Sequence, residues 1–219
     1  MYFFVCFLRC DGLFDLCIWY FFCNFAVVKN YNRQHEMSEK KLEEIVPLLQ
    51  DEKSRSRAFS QMVRLTQSRL YWHIRKMVLV HEDADDVLQN TYLKAWKSMD
   101  SFRGDSGLYT WLYRIATNET LTFLAQQRLK NVATSIDYEE LMISRMEADA
   151  YYEGDDMMKK FQRAVLSLPE KQRLVFNMRY YDDMKYEEIA KVTGTSEGAL
   201  KASYHIAVKK IEQFIKEED

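Results

Sequence analysis

The sequence predicts an all-α fold made of two small helical domains joined by a flexible acidic linker. The chain of 219 residues contains only 6 Gly and 2 Pro, so residues that interrupt helices are scarce. From residue 42 onward, apolar residues recur at steps of three and four, as they do on one face of a helix. No long segment alternates polar and apolar residues in the manner of a half-buried strand. The length leaves room for one or two domains with cores of their own.

Residues 1–36 differ in composition from the rest of the chain. They are rich in aromatic residues, and their uninterrupted apolar run, residues 16–22, is too short to span a bilayer. The basic start of a secretory signal is absent. Three interpretations stay open: translation that begins at Met37, which we favour, a membrane-associated or partner-binding leader, and an ordinary structured extension.

All four cysteines fall in this leader. Their spacing matches no zinc-binding pattern, so we predict no metal site. The helical remainder needs no disulfide, which is compatible with a reducing cytoplasm. The cysteines are Cys6, Cys10, Cys17 and Cys23.

Residues 37–130 are predicted to form the first domain, with four apolar stripes at helical spacing. Asp83 is a candidate N-cap for the third helix. The stripes cover residues 42–49, 59–77, 84–96 and 108–116.

A short polar loop, residues 101–107, joins the third and fourth stripes. Aromatic and basic side chains lie on both sides of it, among them Phe102, Arg103 and Trp111. Such a combination can stack on unpaired bases while it neutralises a phosphate backbone.

The second half of the chain begins with an acidic segment. Residues 131–157 are weakly periodic and are predicted to be a linker with one or two helical turns. Residues 158–219 form the second predicted domain. Pro169 suits the first turn of one helix, and Ser196 suits the N-cap of the last.

Residues 186–205 have the spacing of a helix-turn-helix, whose second helix lies in the major groove of DNA. Gly194 occupies the turn, where a positive φ costs little. The start of the last helix at Ser196 offers N–H groups to a phosphate. Lys201 and Lys209 are predicted to neutralise the backbone, and Ala202 and His205 to meet base edges. The exposed positions of this helix are predicted to be Glu197, Gly198, Lys201, Ala202, His205 and Lys209.

The net charge of −2 conceals two opposed blocks. The stretch from Lys53 to Lys76 contains seven basic residues and no acidic one, whereas residues 137–156 are strongly acidic. This pattern predicts separate basic and acidic surfaces.

Four motifs resemble those of extracytoplasmic-function (ECF) sigma factors in the sigma-70 family of bacterial RNA polymerase. Asp83–Tyr92 resembles the polymerase-binding helix, and Phe102–Ala116 resembles the promoter-reading region. Leu168–Arg173 and Tyr186–Ala190 resemble the region that recognises the −35 element. No long helical domain intervenes between the two predicted domains. In this respect the chain is similar to the small ECF class.

The resemblance implies the partners and site residues. The partners are promoter DNA and core RNA polymerase, through its β′ clamp coiled coil and its β flap. The polymerase-binding residues it implies are Asp85, Asp86, Leu88, Gln89 and Tyr92. Phe102 and Asn118 would line a pocket for a base flipped out of the −10 element. The residues implied near that strand are Arg103, Asp105, Ser106 and Arg114.

The chain is thus expected to be a cytoplasmic transcription initiation factor that recognises the −35 and −10 elements and promotes strand opening. The alternatives are an autonomous helix-turn-helix regulator and a membrane-tethered adaptor. No enzymatic activity, cofactor or small-molecule substrate is expected, because the four histidines are scattered and no nucleophile-base arrangement occurs. Whether an anti-sigma factor binds the chain stays open. Ser203 and Ile206 stand where many relatives carry arginine. The −35 sequence that the chain recognises therefore stays open as well.

Overall fold

The structure is a computed structural model that describes residues 41–102, 104, 106–134, 138–147 and 156–217. Within these ranges it holds nine α-helices, one 3₁₀ turn (Met99–Ser101) and no strand, which confirms the predicted all-α class. The leader, residues 1–36, lies outside the described residues. The helices are α1 (41–50), α2 (Arg55–Val78), α3 (His81–Lys97), α4 (Leu108–Thr134), α5 (Tyr138–Glu147), α6 (Asp156–Leu166), α7 (Glu170–Tyr180), α8 (Tyr186–Thr193) and α9 (Glu197–Glu217).

Residues 45–219 form one compact unit, which contains α2–α9. Within it, α2, α3 and α4 form what we call the first lobe and pack against each other in all three pairings. The stripe predicted for α2 is buried at Leu70, Ile74 and Met77, and that of α4 at Leu112 and Ala116. Burial of each large apolar side chain stabilises the fold by about 1.5–3 kcal/mol. The helices therefore gain most of their stability from packing against each other.

Two details of α3 differ from the prediction. The helix begins at His81, and its first turn is closed by the bond from the Ala84 N–H to the Val80 carbonyl (3.0 Å). Asp83 therefore lies in the first turn rather than at the N-cap, where its carboxylate still faces the positive end of the helix dipole. Trp96 belongs to the predicted stripe, yet it is 44% exposed. It packs edge-on against only part of α2, at Phe59 (ring centroids 4.9 Å apart).

Helices α6–α9, the second lobe, contain the predicted helix-turn-helix. Ile189 of α8 and Leu200 and Ala207 of α9 are fully buried. Gly194 ends α8 with φ 69°, in the left-handed region. The Ser196 hydroxyl accepts a hydrogen bond from the Ala199 N–H (3.4 Å), so Ser196 caps α9 as predicted. The turn chemistry read from the sequence is therefore confirmed.

The acidic segment contains more helix than predicted. Helix α5 has ten residues, nearly three turns, where one or two turns were predicted. Its Met142 and Met146 are buried against Leu79 of the first lobe and Leu166 of the second. Leu79 has φ 67°, an uncommon value for a side chain other than glycine. Residues 135–137 and 148–155, on either side of α5, lie outside the described residues.

The two lobes meet around one buried carboxylate, that of Asp182 between α7 and α8, whose side chain is 3% exposed. Lys76 Nζ donates to Asp182 Oδ1 (2.8 Å), and His73 Nδ1 donates to Oδ2 (3.1 Å). The Tyr113 hydroxyl also donates to Oδ2. On its other side, His73 Nε2 lies 3.0 Å from Thr117 Oγ1. All three donors to the carboxylate belong to the first lobe, so this cluster, which we call the Asp182 lock, joins the lobes.

Further contacts cross the same interface. Asn177 donates to the Lys76 carbonyl (3.4 Å), and Arg128 of α4 forms an ion pair with Glu170 of α7. Helix α8 packs on α4, and α7 packs on α2. A cavity of about 20 Å³ between α2, α5, α6 and α7 has room for about one water molecule. The lobes are thus closely packed in this structure.

The backbone of the helix-turn-helix supplies a paired prediction on stability. We expect Gly194→Ala to lower the free energy of unfolding by about 1 kcal/mol, because alanine is strained at positive φ. The matched change Gly198→Ala, in the first turn of α9, should raise it by about 0.5 kcal/mol. An added Cβ meets no atom within 4 Å at either site, so only the backbone differs. Urea unfolding followed by circular dichroism measures both, and equal effects would contradict this account.

The Asp182 lock predicts a pH dependence. Burial alone would raise the pKa of Asp182, but the Lys76 charge and the His73 hydrogen bond outweigh it and hold the pKa well below its usual value. A lowered pKa stabilises the fold above the unfolded value, about pH 4, and this contribution is lost as the pH falls.

The free energy of unfolding should therefore differ between the wild type and Asp182→Asn most at pH 6, and this difference should shrink below about pH 4. Denaturant titrations from pH 6 to about pH 2.5 measure the difference. A difference that stayed constant over this range would show that Asp182 titrates like an ordinary carboxyl.

Candidate functional site

A shallow groove of about 380 Å³ lies between α2 and α3. All five residues predicted to bind polymerase line it: Asp85, Asp86, Leu88, Gln89 and Tyr92. Asp85, Asp86 and Gln89 are exposed, whereas Leu88 and Tyr92 are half-buried. The groove thus combines an acidic rim with a partly apolar floor, which suits a basic helix that carries some apolar side chains.

Helix α2 fixes the floor of the groove. The Tyr92 hydroxyl lies 2.8 Å from Thr66 Oγ1, and burial raises the pKa of Tyr92 to about 12, so it is neutral at physiological pH. Val63 and Gln67 of α2 complete the lining. These two residues were not predicted from the sequence. Their spacing of four, which puts them on one helix face beside the buried stripe, is the signal that could have found them.

The polar loop begins with the 3₁₀ turn and passes Gly104 at φ 77°. Phe102 is 6% exposed and packs on Trp111 (ring centroids 5.1 Å apart). In this structure Phe102 is therefore covered by its own lobe. Ser106 is half-buried. The predicted site residues Arg103 and Asp105 lie outside the described residues.

Arg114 and Asn118 lie on the exposed side of α4. They are four residues apart, so they share one face of the helix. The helix directly follows the polar loop in the sequence. The resemblance implies that the strand of the −10 element lies beside this loop and this face. Asn118 directly follows Thr117, which contacts His73 of the Asp182 lock.

The predicted DNA-reading face of α9 is open to solvent. Its exposed members are Ser196, Gly198, Lys201, Ala202, His205 and Lys209. Glu197 is the exception, because it is half-buried and lies 3.4 Å from Lys201 in an ion pair. Ile206, also on α9, is 44% exposed. Among the residues predicted for this face, only Lys201 and Lys209 are lysine or arginine.

The part of the chain that the structure describes offers neither a metal site nor a membrane-spanning helix. There, His, Cys, Asp and Glu side chains form no group of three that could hold a metal ion. No helix within those residues is long and apolar enough to cross a membrane.

Comparison with known proteins matches both lobes. Residues 62–130 match the profile of Sigma-70 region 2, and residues 158–211 match that of Sigma-70, region 4. The ECF RNA polymerase sigma-E factor of Escherichia coli (strain K12) is 31% identical over 135 residues, which cover 55% of this chain and 67% of that protein. The RNA polymerase sigma-H factor of Pseudomonas aeruginosa is 29% identical over 162 residues, or 67% of this chain and 80% of that protein.

Two solved structures share the fold. The sigma factor RpoE from Bartonella quintana, in complex with the anti-sigma factor NepR, gives a TM-score of 0.54 at 24% identity and covers 72% of this chain and 96% of its own. CnrH in complex with the cytosolic domain of CnrY gives a TM-score of 0.53 at 23% identity, with coverages of 75% and 91%.

The order of regions and the helical fold define a transcription initiation factor of the sigma-70 class. The chain belongs to the ECF sigma factors of that family. It is a DNA-binding initiation factor that associates with RNA polymerase, and it is not an enzyme. The alternative of an autonomous regulator, independent of polymerase, is not favoured.

Proposed function

We propose that the two lobes divide the work of initiation. The first lobe binds core polymerase through the groove between α2 and α3 and traps an unpaired −10 base with Phe102 and Asn118. The second lobe lays α9 in the major groove of the −35 element. The observation that supports this most directly is that five residues chosen from the sequence line one groove.

The groove suits docking on the β′ clamp coiled coil. Its exposed carboxylates, Asp85 and Asp86, attract a basic helix, and the half-buried Leu88 and Tyr92 give apolar area beside them. Charged rims steer association, while buried aromatic anchors contribute most of the affinity. The second lobe would dock on the β flap.

Strand opening requires no hydrolysis in this scheme. Unstacking and flipping a base costs a few kcal/mol, which contacts with the flipped base offset. Phe102 would have to leave Trp111, or Trp111 would have to move with it, before a base could stack there. Arg114 lies on the same face as Asn118 and would neutralise the strand's phosphates, with Arg103, Asp105 and Ser106 beside it.

We propose the domain boundaries that the sequence predicts: 37–130 for the polymerase and −10 domain, 131–157 for the linker, and 158–219 for the −35 domain. The matched family regions lie inside these bounds, at 62–130 and 158–211. The work would take place in the cytoplasm, where polymerase meets promoter DNA.

We also propose that an anti-sigma protein binds this chain. Two solved structures with the same fold are complexes of this kind, RpoE with NepR and CnrH with the cytosolic domain of CnrY.

The polymerase groove can be tested by a double substitution. Asp86→Asn with Gln89→Ala should weaken binding to core RNA polymerase at least about tenfold, because both side chains are exposed on the groove. Helical content and thermal unfolding should not change. The control is Asn90→Ala, which is exposed on the same helix but does not line the groove. Equal binding by the double variant and the control would refute the groove as the docking site.

The base pocket is tested separately from polymerase binding. Asn118→Ala should leave polymerase binding intact and reduce promoter opening by about fivefold or more, the effect of losing about 1 kcal/mol of base contact. Permanganate reactivity of unpaired thymines in the −10 element measures opening in reconstituted holoenzyme. Gln126→Ala, exposed two turns further along α4, is the control. If opening were unchanged in Asn118→Ala, the assignment of the pocket would be wrong.

A further inference from the structure

We propose that Ile206 of α9 selects thymine at one position of the −35 element, through contact with the C5 methyl group of that base. This inference rests on the proposed function, because it requires α9 to lie in the major groove of the −35 element. It deepens that function, which assigns a surface of α9 to the element but names no base.

Ile206 belongs to a row of three apolar side chains on the exposed side of α9. It is 44% exposed, and Ala199 and Ala202 are exposed as well. Their steps of three and four residues place all three on one side of the helix, and we call this row the apolar strip. The strip borders the predicted reading face and shares Ala202 with it. It extends over about 10 Å at 1.5 Å per residue, or about three base pairs at 3.4 Å each.

The packing of α9 leaves the apolar strip outside the core of the second lobe. Leu200, Ala207 and Ile211 form the buried side of the helix, and α9 packs on α6, α7 and α8. Successive side chains on a helix are about 100° apart around the axis, so Ile206 lies on a different side from Ala207. A single exposed isoleucine is common on protein surfaces. Three exposed apolar residues in line beside a DNA-reading face favour a contact with that DNA.

Basic side chains flank the apolar strip. Lys209 and Lys210 are exposed and come three and four residues after Ile206, at the next turn of the helix. On the reading face, Lys201 and His205 are exposed as well. Contacts between lysines and phosphates position a helix in the groove but carry no sequence information. Selection of a base at the strip must therefore come from its apolar side chains.

Thymine is the base that suits an apolar side chain in the major groove. The other bases present only hydrogen-bond donors and acceptors there, whereas thymine also presents its C5 methyl group. A polar base edge covered by Ile206 would lose its water without gaining a partner, which costs free energy. Ile206 therefore favours thymine by the contact that it makes and disfavours the other bases by the hydrogen bonds that it cannot make.

The branched shape of isoleucine makes this contact selective. In a helix, χ1 of isoleucine is almost confined to one rotamer, so the side chain is already ordered before DNA binds. It cannot turn aside to accommodate a polar base edge as a long flexible side chain can. We therefore expect a preference for thymine at one base pair rather than a general preference for A·T pairs.

Replacement of thymine by uracil tests the contact, because it removes the methyl group and keeps every hydrogen-bonding group of the base. The −35 sequence is first selected from duplexes randomised over that element, with holoenzyme reconstituted from core polymerase and the full chain. Each thymine of the selected element is then replaced by uracil, one position at a time. At one position, uracil should weaken binding of the wild-type holoenzyme about fourfold, the effect of losing one buried methyl group.

Variants of α9 assign that effect to Ile206. Ile206→Ala should abolish the difference between thymine and uracil at the sensitive position, whereas Ile206→Leu, which keeps the apolar volume, should retain at least about a twofold difference. The matched control is Lys210→Ala, which should weaken binding of the thymine and uracil duplexes equally. Because both side chains are exposed, the fold should survive, and circular dichroism verifies the helical content of each variant.

The outcomes separate this inference from the proposed function. A selected element without thymine, an element insensitive to uracil at every position, or a full thymine–uracil difference in Ile206→Ala would overturn the methyl contact. In each of these cases a selected −35 sequence would still support the reading of that element by the second lobe. A selection that enriched no −35 sequence at all would instead show that the proposed function of α9 is wrong.

Discussion

The burial of α2 on three sides is the constraint on which the described structure depends. This helix packs against α3, α4 and α7, so its sequence must satisfy three neighbours at once. Met77 lies in the buried stripe, whereas Val63 and Gln67 border the groove shared with α3. At the last turns of the helix, His73 and Lys76 face the second lobe. One helix thereby sets the core, the docking groove and the junction between the lobes.

Sequence periodicity and turn chemistry predicted most of the helices. The stripes of α2, α3 and α4 identified their buried faces, and Gly194 with Ser196 marked the helix-turn-helix, because capping and turn preferences are local. Trp96 shows where periodicity was insufficient. A residue can keep the helical spacing at the end of a stripe and still extend past its neighbouring helix, and only packing reveals this.

Only half of the groove could be predicted from the sequence. Its α3 side came from one motif, but Val63 and Gln67 belong to another helix, and no local pattern states which two helices meet. The Asp182 lock was not predicted at all. Its members, His73 and Asp182, are 109 residues apart, and each alone resembles an ordinary polar residue. Buried polar clusters of this kind depend on tertiary placement, which a single sequence does not contain.

Neighbouring residues of α4 face two different tasks. Tyr113 and Thr117 face the lock, and the residues that directly follow them, Arg114 and Asn118, face solvent. Successive side chains on a helix are about 100° apart around the axis, so a change at one position leaves the other surface intact. As such a chain diverges in evolution, the promoter sequence that it recognises and the packing between its lobes can therefore change separately. The residues for both nevertheless lie in the same turn and a half of helix.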